Sequence, residues 1–105
     1  MWYILGPDGE PVRVGLDAYD QWRSENPGPK TVARDQVGDV EVSTIFTAFD
    51  YGFGCTATPI LYETMIFGGP SDLAQWRHYT AAEALEFHAR AVRAVSGNDY
   101  SSLED

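Results

Sequence analysis

Apolar and polar positions along this chain fall into short runs, each with a readable period. Residues 2–5 and 12–14 are β-prone, and they flank the turn-rich stretch Gly6-Pro7-Asp8-Gly9-Glu10-Pro11. That order predicts a hairpin with Pro11 on an edge. Leu16, Tyr19 and Trp22 recur at every third position, the spacing of a helical stripe. Asp17 is placed to cap a helix over 17–26, and Asn26-Pro27-Gly28-Pro29 to stop it. Residues 31–35 read as a strand and Val37-Gly38-Asp39 as the following turn. From 40 to 49 the period is two: Val40, Val42, Thr44, Phe46 and Ala48 share one face, and Glu41, Ser43, Ile45, Thr47 and Phe49 the other. Residues 59–67 form a strongly apolar run that predicts a central strand. Gly68-Gly69-Pro70-Ser71-Asp72 then turns the chain into a shorter strand over 75–79.

Thr80-Ala81-Ala82-Glu83 is a capping box, in which a Thr hydroxyl and a Glu carboxylate three residues later can satisfy each other's free backbone N–H. The alanine-rich helix behind it is predicted to run to about Val95 and to end at Gly97 and Asn98. At about 100° per residue, Ala81, Ala84, Leu85, Ala91, Val92 and Val95 make its apolar stripe, with His88 near the centre. The expected fold is therefore α+β: an antiparallel sheet of about five to six strands with two helices, the C-terminal helix packed on the sheet. Residues 1–98 form one domain in this reading, and 99–105, with little apolar content, a disordered acidic tail.

Composition narrows the function classes. The chain has 105 residues and 14 aromatic ones (Trp 3, Tyr 6, Phe 5), enough large rings to fill a small core. A formal charge of -9 repels phosphate backbones, so direct nucleic-acid binding is not expected. Cys55 is the single cysteine, which rules out an internal disulfide and points to a reducing compartment. Residues 1–6 are apolar but short, lack a basic flank and run into a turn, so they read as a strand and not as a leader. No apolar run nears the roughly 18 residues of a membrane helix. A cytoplasmic location without membrane contact is expected.

Two polar residues stand out in apolar surroundings. His88 lies in the helical stripe, and Glu63 shares a strand face with Leu61, Met65 and Phe67. A carboxylate there is costly unless paired, so Glu63 and His88 are expected to approach each other beneath the helix, directly or through a water. Alternatively, each finds its own backbone or hydroxyl partner. The pair reads first as structural. A weaker catalytic reading makes His88 a general base oriented by Glu63, and a triad with Ser43 can be written, but no nucleophile-elbow motif supports it. Cys55 has no adjacent base and reads as an incidental thiol, and His78 as a surface residue of an edge strand. Two histidines without ligand spacing predict no metal site, and no cofactor is expected. Binding is expected at the loop 50–58, where Gly52 and Gly54 allow movement and Tyr51 and Phe53 offer flat contact area, unless both rings fold back to cover the sheet end; Arg77 and Arg34 are the candidate anion contacts.

Taken together, Val37-Gly38-Asp39, Val42-Ser43-Thr44-Ile45-Phe46, Tyr62-Glu63-Thr64-Met65-Ile66-Phe67-Gly68-Gly69, Arg77, Tyr79-Thr80 and His88-Ala89 resemble a group of small uncharacterised proteins of bacteriophages and of bacteria, often actinobacterial. The similarity spans about 31–95 and is most distinctive over 63–69; Cys55 is not part of it. The resemblance implies a phage or bacterial origin and carries no mechanism with it; small accessory proteins of phages commonly act by binding. Such a protein would be a counter-defence factor that sequesters a signalling nucleotide or blocks a host defence protein. The expected partner is thus a protein or a small nucleotide-like ligand, with a homo-oligomer as one form of the site. The alternatives are the small hydrolase or transferase based on His88, and a structural or virion-associated protein acting through an edge strand.

Overall fold

A computed structural model of the protein describes residues 1–28 and 30–103. Six strands make two antiparallel sheets. The first is a hairpin of β1 (Trp2–Leu5) and β2 (Pro11–Val14). The second has four strands in the order β3 (Lys30–Val37), β4 (Val40–Phe46), β5 (Tyr62–Phe67) and β6 (Gln75–His78). Helix α1 (Leu16–Glu25) follows the hairpin. Helix α2 (Ala81–Ser96) lies across the larger sheet, and a 3₁₀ turn (Ser101–Leu103) closes the described chain. The α+β class and the helix on the sheet are as the periodicities predict. No described helix is long and apolar enough to cross a membrane.

The period-two pattern is realised from residue 41 onward as strict alternation of half-buried and buried residues, although β4 itself ends at Phe46. Ala48 has a φ of 63°, which breaks the strand, and Phe49 bridges to Trp2 of the hairpin. The other apolar run is strand only from Tyr62 to Phe67. Helix α1 is capped by Gly15 without a side-chain bond, and Asp17 sits inside its first turn instead. Gly68, at φ +98°, is fixed by a close approach: a Cβ there would lie 2.6 Å from the carbonyl oxygen of Asp39 in the neighbouring turn.

The Thr80 hydroxyl accepts from the Glu83 N–H at 3.1 Å, which fixes where α2 begins. Thr80→Ala is expected to cost about 1 kcal/mol in urea unfolding. The buried stripe of α2 is Ala84, Phe87, His88, Ala91, Ala94 and Val95. It is rotated from the predicted one: Leu85 is 48% exposed, Ala81 is exposed, and Phe87 fills the space against β6. Residues 99–103 are likewise no loose tail, because Leu103 is only 4% exposed within the core. The rest of the predicted tail, 104–105, lies outside the described residues.

Two apolar clusters fill the interior. One gathers Val42, Ile66, Phe87, Ala91, Val95 and Leu103. The other gathers Phe46, Leu61, Tyr62 and Ala84 under Tyr3, Tyr19 and Trp22 of the hairpin and α1. Between them runs a thin polar layer. Thr44 lies between Val42 and Phe46 on β4, its cross-strand partner Thr64 lies between Tyr62 and Ile66 on β5, and His88 lies between Ala84 and Ala91 on α2.

Candidate functional site

The polar layer is a continuous hydrogen-bonded row across the sheet. Asp35 Oδ2 meets His88 Nε2 at 2.7 Å, and His88 Nδ1 meets Thr44 Oγ1 at 2.8 Å. Thr44 Oγ1 meets Thr64 Oγ1 at 2.7 Å, and Thr64 Oγ1 meets His78 Nε2 at 3.0 Å. Every member comes from a different element: β3, α2, β4, β5 and β6. Thr44 and Thr64 are fully buried, His88 and His78 nearly so, while the Asp35 side chain is half open to solvent. Buried polar groups that satisfy one another avoid the desolvation cost that any one of them would carry alone.

A β-bulge puts Asp35 in this row. Lys30 and Thr31 pair with Phe46 and Ile45, but Ala33 pairs with Thr44, so Val32 is an extra residue. One inserted residue exchanges the faces of everything after it. Asp35, opposite Val42, therefore looks toward α2, and Arg34, opposite Ser43, looks away.

Glu63 is not His88's partner, which corrects the pairing expected from the sequence. Strand β5 turns Tyr62, Thr64 and Ile66 toward the helix and Glu63 to the opposite face. There its Oε2 accepts from Arg77 Nε at 3.2 Å, and the Arg77 guanidinium lies 4.0 Å from the centre of the Tyr51 ring. Tyr51 and Arg77 thus meet, as two binding candidates, but as a stack closed by Glu63. Phe53 is 65% exposed at the loop tip, edge-on to Phe49. Arg34 pairs with Glu41 on β4 and joins neither group. Cys55 is exposed in the loop. Among the described residues no group of three His, Cys, Asp or Glu side chains could hold a metal ion.

The loop 50–58 is built more firmly than its glycines suggest. Asp50 is 2% exposed, and its carboxylate accepts from the backbone N–H groups of Gly52 at 2.7 Å, Gly54 at 3.0 Å and Ile60 at 3.0 Å. Burial alone would push this carboxyl up, but the three donors outweigh it and hold its pKa below the ordinary 3.8.

The concave surface nearest the polar row lies between β6 and α2. It is an open groove of about 460 Å³ lined by Trp76, His78, Phe87 and Arg90, with Gln75 and Arg77 at the strand edge. The Phe87 ring packs 5.0 Å from both Trp76 and His78, centre to centre. Arg90 lies 4.9 Å over Phe87 and has no carboxylate partner among the described residues. His78, expected on the surface, is 7% exposed. Burial lowers its pKa from 6.5 and Arg90 lowers it further, against the opposing pull of Glu83, so the ring is neutral at neutral pH.

Asp35, Thr64 and Arg90 were not singled out by the sequence. The one available signal was two threonines at matching positions of two adjacent apolar runs, facing a helix that carries a lone histidine. No protein family, curated protein or solved structure matches the chain.

Proposed function

We propose that the chain is a non-enzymatic binding protein whose groove between β6 and α2 takes an anion carrying a planar ring, the chemistry of a nucleotide. The observation that carries this reading is Arg90: an exposed guanidinium without a carboxylate partner among the described residues, held over an aromatic groove, in a chain with 7 Lys and Arg against 16 Asp and Glu. Acidic side chains outnumber basic ones here, and a guanidinium without a carboxylate partner has its charge available to a ligand. Half-buried Trp76 supplies ring surface to the groove, backed by the buried Phe87.

Asp35, His88 and Thr44 have the order of an acid–imidazole–hydroxyl triad, yet Thr44 is 0% exposed and its oxygen is already bonded to Thr64. An acyl or phosphoryl carbon or phosphorus has no approach to that oxygen, which favours binding over hydrolysis. In a cell such a protein works by occupancy. It withdraws a signalling nucleotide or covers a defence protein, modes of action common among small accessory proteins of phages. Mass spectrometry of the supernatant from denatured protein separates the two, since only sequestration releases a nucleotide.

Cyclic AMP is a direct probe of the groove. Its titration is expected to move the amide signals of Trp76, His78 and Arg90, and Arg90→Glu is expected to weaken binding at least tenfold while leaving the fold intact. Binding that is indifferent to Arg90→Glu, or no binding of any nucleotide, would falsify the reading.

A further inference from the structure

We propose that Asp35, His88, Thr44, Thr64 and His78 form a proton wire, in which a proton held at His88 decides whether His78 presents a hydrogen-bond acceptor or a donor to the groove. This deepens the groove reading and rests on it only for the ligand.

The direction of the row follows from counting hydrogens. A carboxylate oxygen can only accept, so His88 Nε2, at 2.7 Å from Asp35, carries a hydrogen. A neutral His88 then offers Nδ1 as an acceptor, and Thr44 must donate to it. Thr44 in turn accepts from Thr64, and Thr64 accepts from a hydrogen on His78 Nε2. The neutral row is therefore fixed in one sense, with both imidazoles as Nε2–H tautomers. His78 keeps its lone pair on Nδ1. That atom has no hydrogen-bond partner among the described residues, yet no described buried side-chain nitrogen or oxygen lacks one, so Nδ1 reaches solvent. The groove is the surface that His78 lines.

A proton arriving at His78 Nδ1 from water reverses the row. His78 Nε2 passes its hydrogen to Thr64 Oγ1, Thr64 passes its own to Thr44 Oγ1, and Thr44 passes its own to His88 Nδ1. Each oxygen gains one hydrogen and loses one, so the net change is one proton taken up and one positive charge on His88. Asp35 accepts from His88 Nε2 in both states. All four bonds, at 2.7–3.0 Å, survive, three of them with donor and acceptor exchanged. His78 now turns Nδ1–H to the groove, a donor suited to an anion.

The surroundings favour charge at the Asp35 end. From β3, His88 meets the Asp35 carboxylate, and from β4 the Thr44 hydroxyl, which Thr64 of β5 bonds in turn; the 3₁₀ turn adds the apolar Leu103 to the core beside α2. His78 has Tyr62 as its cross-strand partner, with Glu83 and Arg90 of α2 acting on it in opposite senses. If both rings were protonated, one threonine hydrogen would have no acceptor within the row, so the row holds one extra proton and not two.

Histidine nitrogen NMR on the free protein tests the wire. In spectra taken from about pH 8 down to 5, both rings are expected as Nε2–H at the start, and His78 is expected to change to Nδ1–H with the same midpoint as proton uptake by the row. Thr44→Ser, which keeps the hydroxyl, should retain the shared midpoint, and Thr44→Val should abolish it; Thr64→Val serves if Thr44→Val does not fold. Saturating cyclic AMP, a phosphodiester of fixed charge in this range, should move the shared midpoint to higher pH. A His78 ring that stays Nε2–H while His88 is protonated overturns the proposal, as does a shared midpoint that persists in the valine variants. A shared midpoint without any cyclic AMP binding supports the wire and counts against the groove as a nucleotide site. Binding that leaves the midpoint unmoved overturns the link between them.

Discussion

Asp50→Ala is expected to destabilise the protein by about 3–4 kcal/mol, a large fraction of the stability of a domain this size. The carboxylate is the single acceptor for the N–H groups of Gly52, Gly54 and Ile60, and it is itself buried. Removing it strands donors that the fold has arranged around it, and the loop cannot relax freely. A Cβ on Gly52 would overlap the Thr56 hydroxyl, and one on Gly54, at φ +76°, would overlap the Met1 side chain. Asp50→Asn is the milder variant, at about 1–2 kcal/mol: one oxygen can still serve Gly52 and Ile60, but an amide NH₂ now confronts the Gly54 N–H. The pH dependence has a definite sign. Because the folded-state pKa lies below 3.8, the unfolded chain binds the proton more readily, so Asp50 contributes stability above about pH 4 that is lost as pH falls through the folded value. Urea midpoints measured from about pH 6 down to 3 should therefore fall more steeply for the parent protein than for Asp50→Asn. Parallel curves would mean that another carboxylate governs acid unfolding.

What the sequence disclosed, and what it hid, divides along physical lines. The alternation over 40–49 could be read because one face is buried and the other is not, so Val42, Thr44 and Phe46 had only one side to take. The start of α2 was visible in Thr80 and Glu83, a local device that needs no tertiary context. The buried position of His88 was visible too, because helical spacing tolerates some rotation of the stripe. The face of Glu63 was not. In β5 both faces carry large apolar residues, so alternation separates Glu63 from Thr64 without saying which looks inward. The decisive fact is the register that sets Thr44 beside Thr64, and register between strands is a tertiary property. Asp35 was hidden by the bulge at Val32, which exchanges it with Arg34. A carboxylate partner for His88 was therefore foreseeable in kind, while its identity depended on an inserted residue that no period reveals.

Cutting the chain after Asn98 is expected to cost about 3–5 kcal/mol, and Leu103→Ala alone about 2–4 kcal/mol, although the segment reads as an acidic tail. Two effects compete. Loss of Asp99, Glu104 and Asp105 brings the charge of -9 closer to zero, and relief of self-repulsion would stabilise the shortened chain. Exposed charges are screened within about 10 Å at ordinary salt, so that gain amounts to tenths of a kcal/mol. Leu103 is 4% exposed among Ile66, Ala94 and Val95, and its loss opens a cavity at the end of α2. Tyr100 packs on the same cluster. The segment is held in place by local bonds: Asp99 N–H donates to the Ala94 carbonyl at 3.0 Å, and Asp99 Oδ1 accepts from the Ser101 N–H at 3.1 Å and its hydroxyl at 2.7 Å. Burial of one leucine outweighs the charge term several-fold, so both variants should have lower urea midpoints at unchanged m-value. Amide exchange should quicken over the last turns of α2, around Ala94 and Val95, before it quickens at Ala84. An unchanged midpoint for the truncated chain would mean that Leu103 leaves the core in solution and that electrostatics governs this end of the molecule.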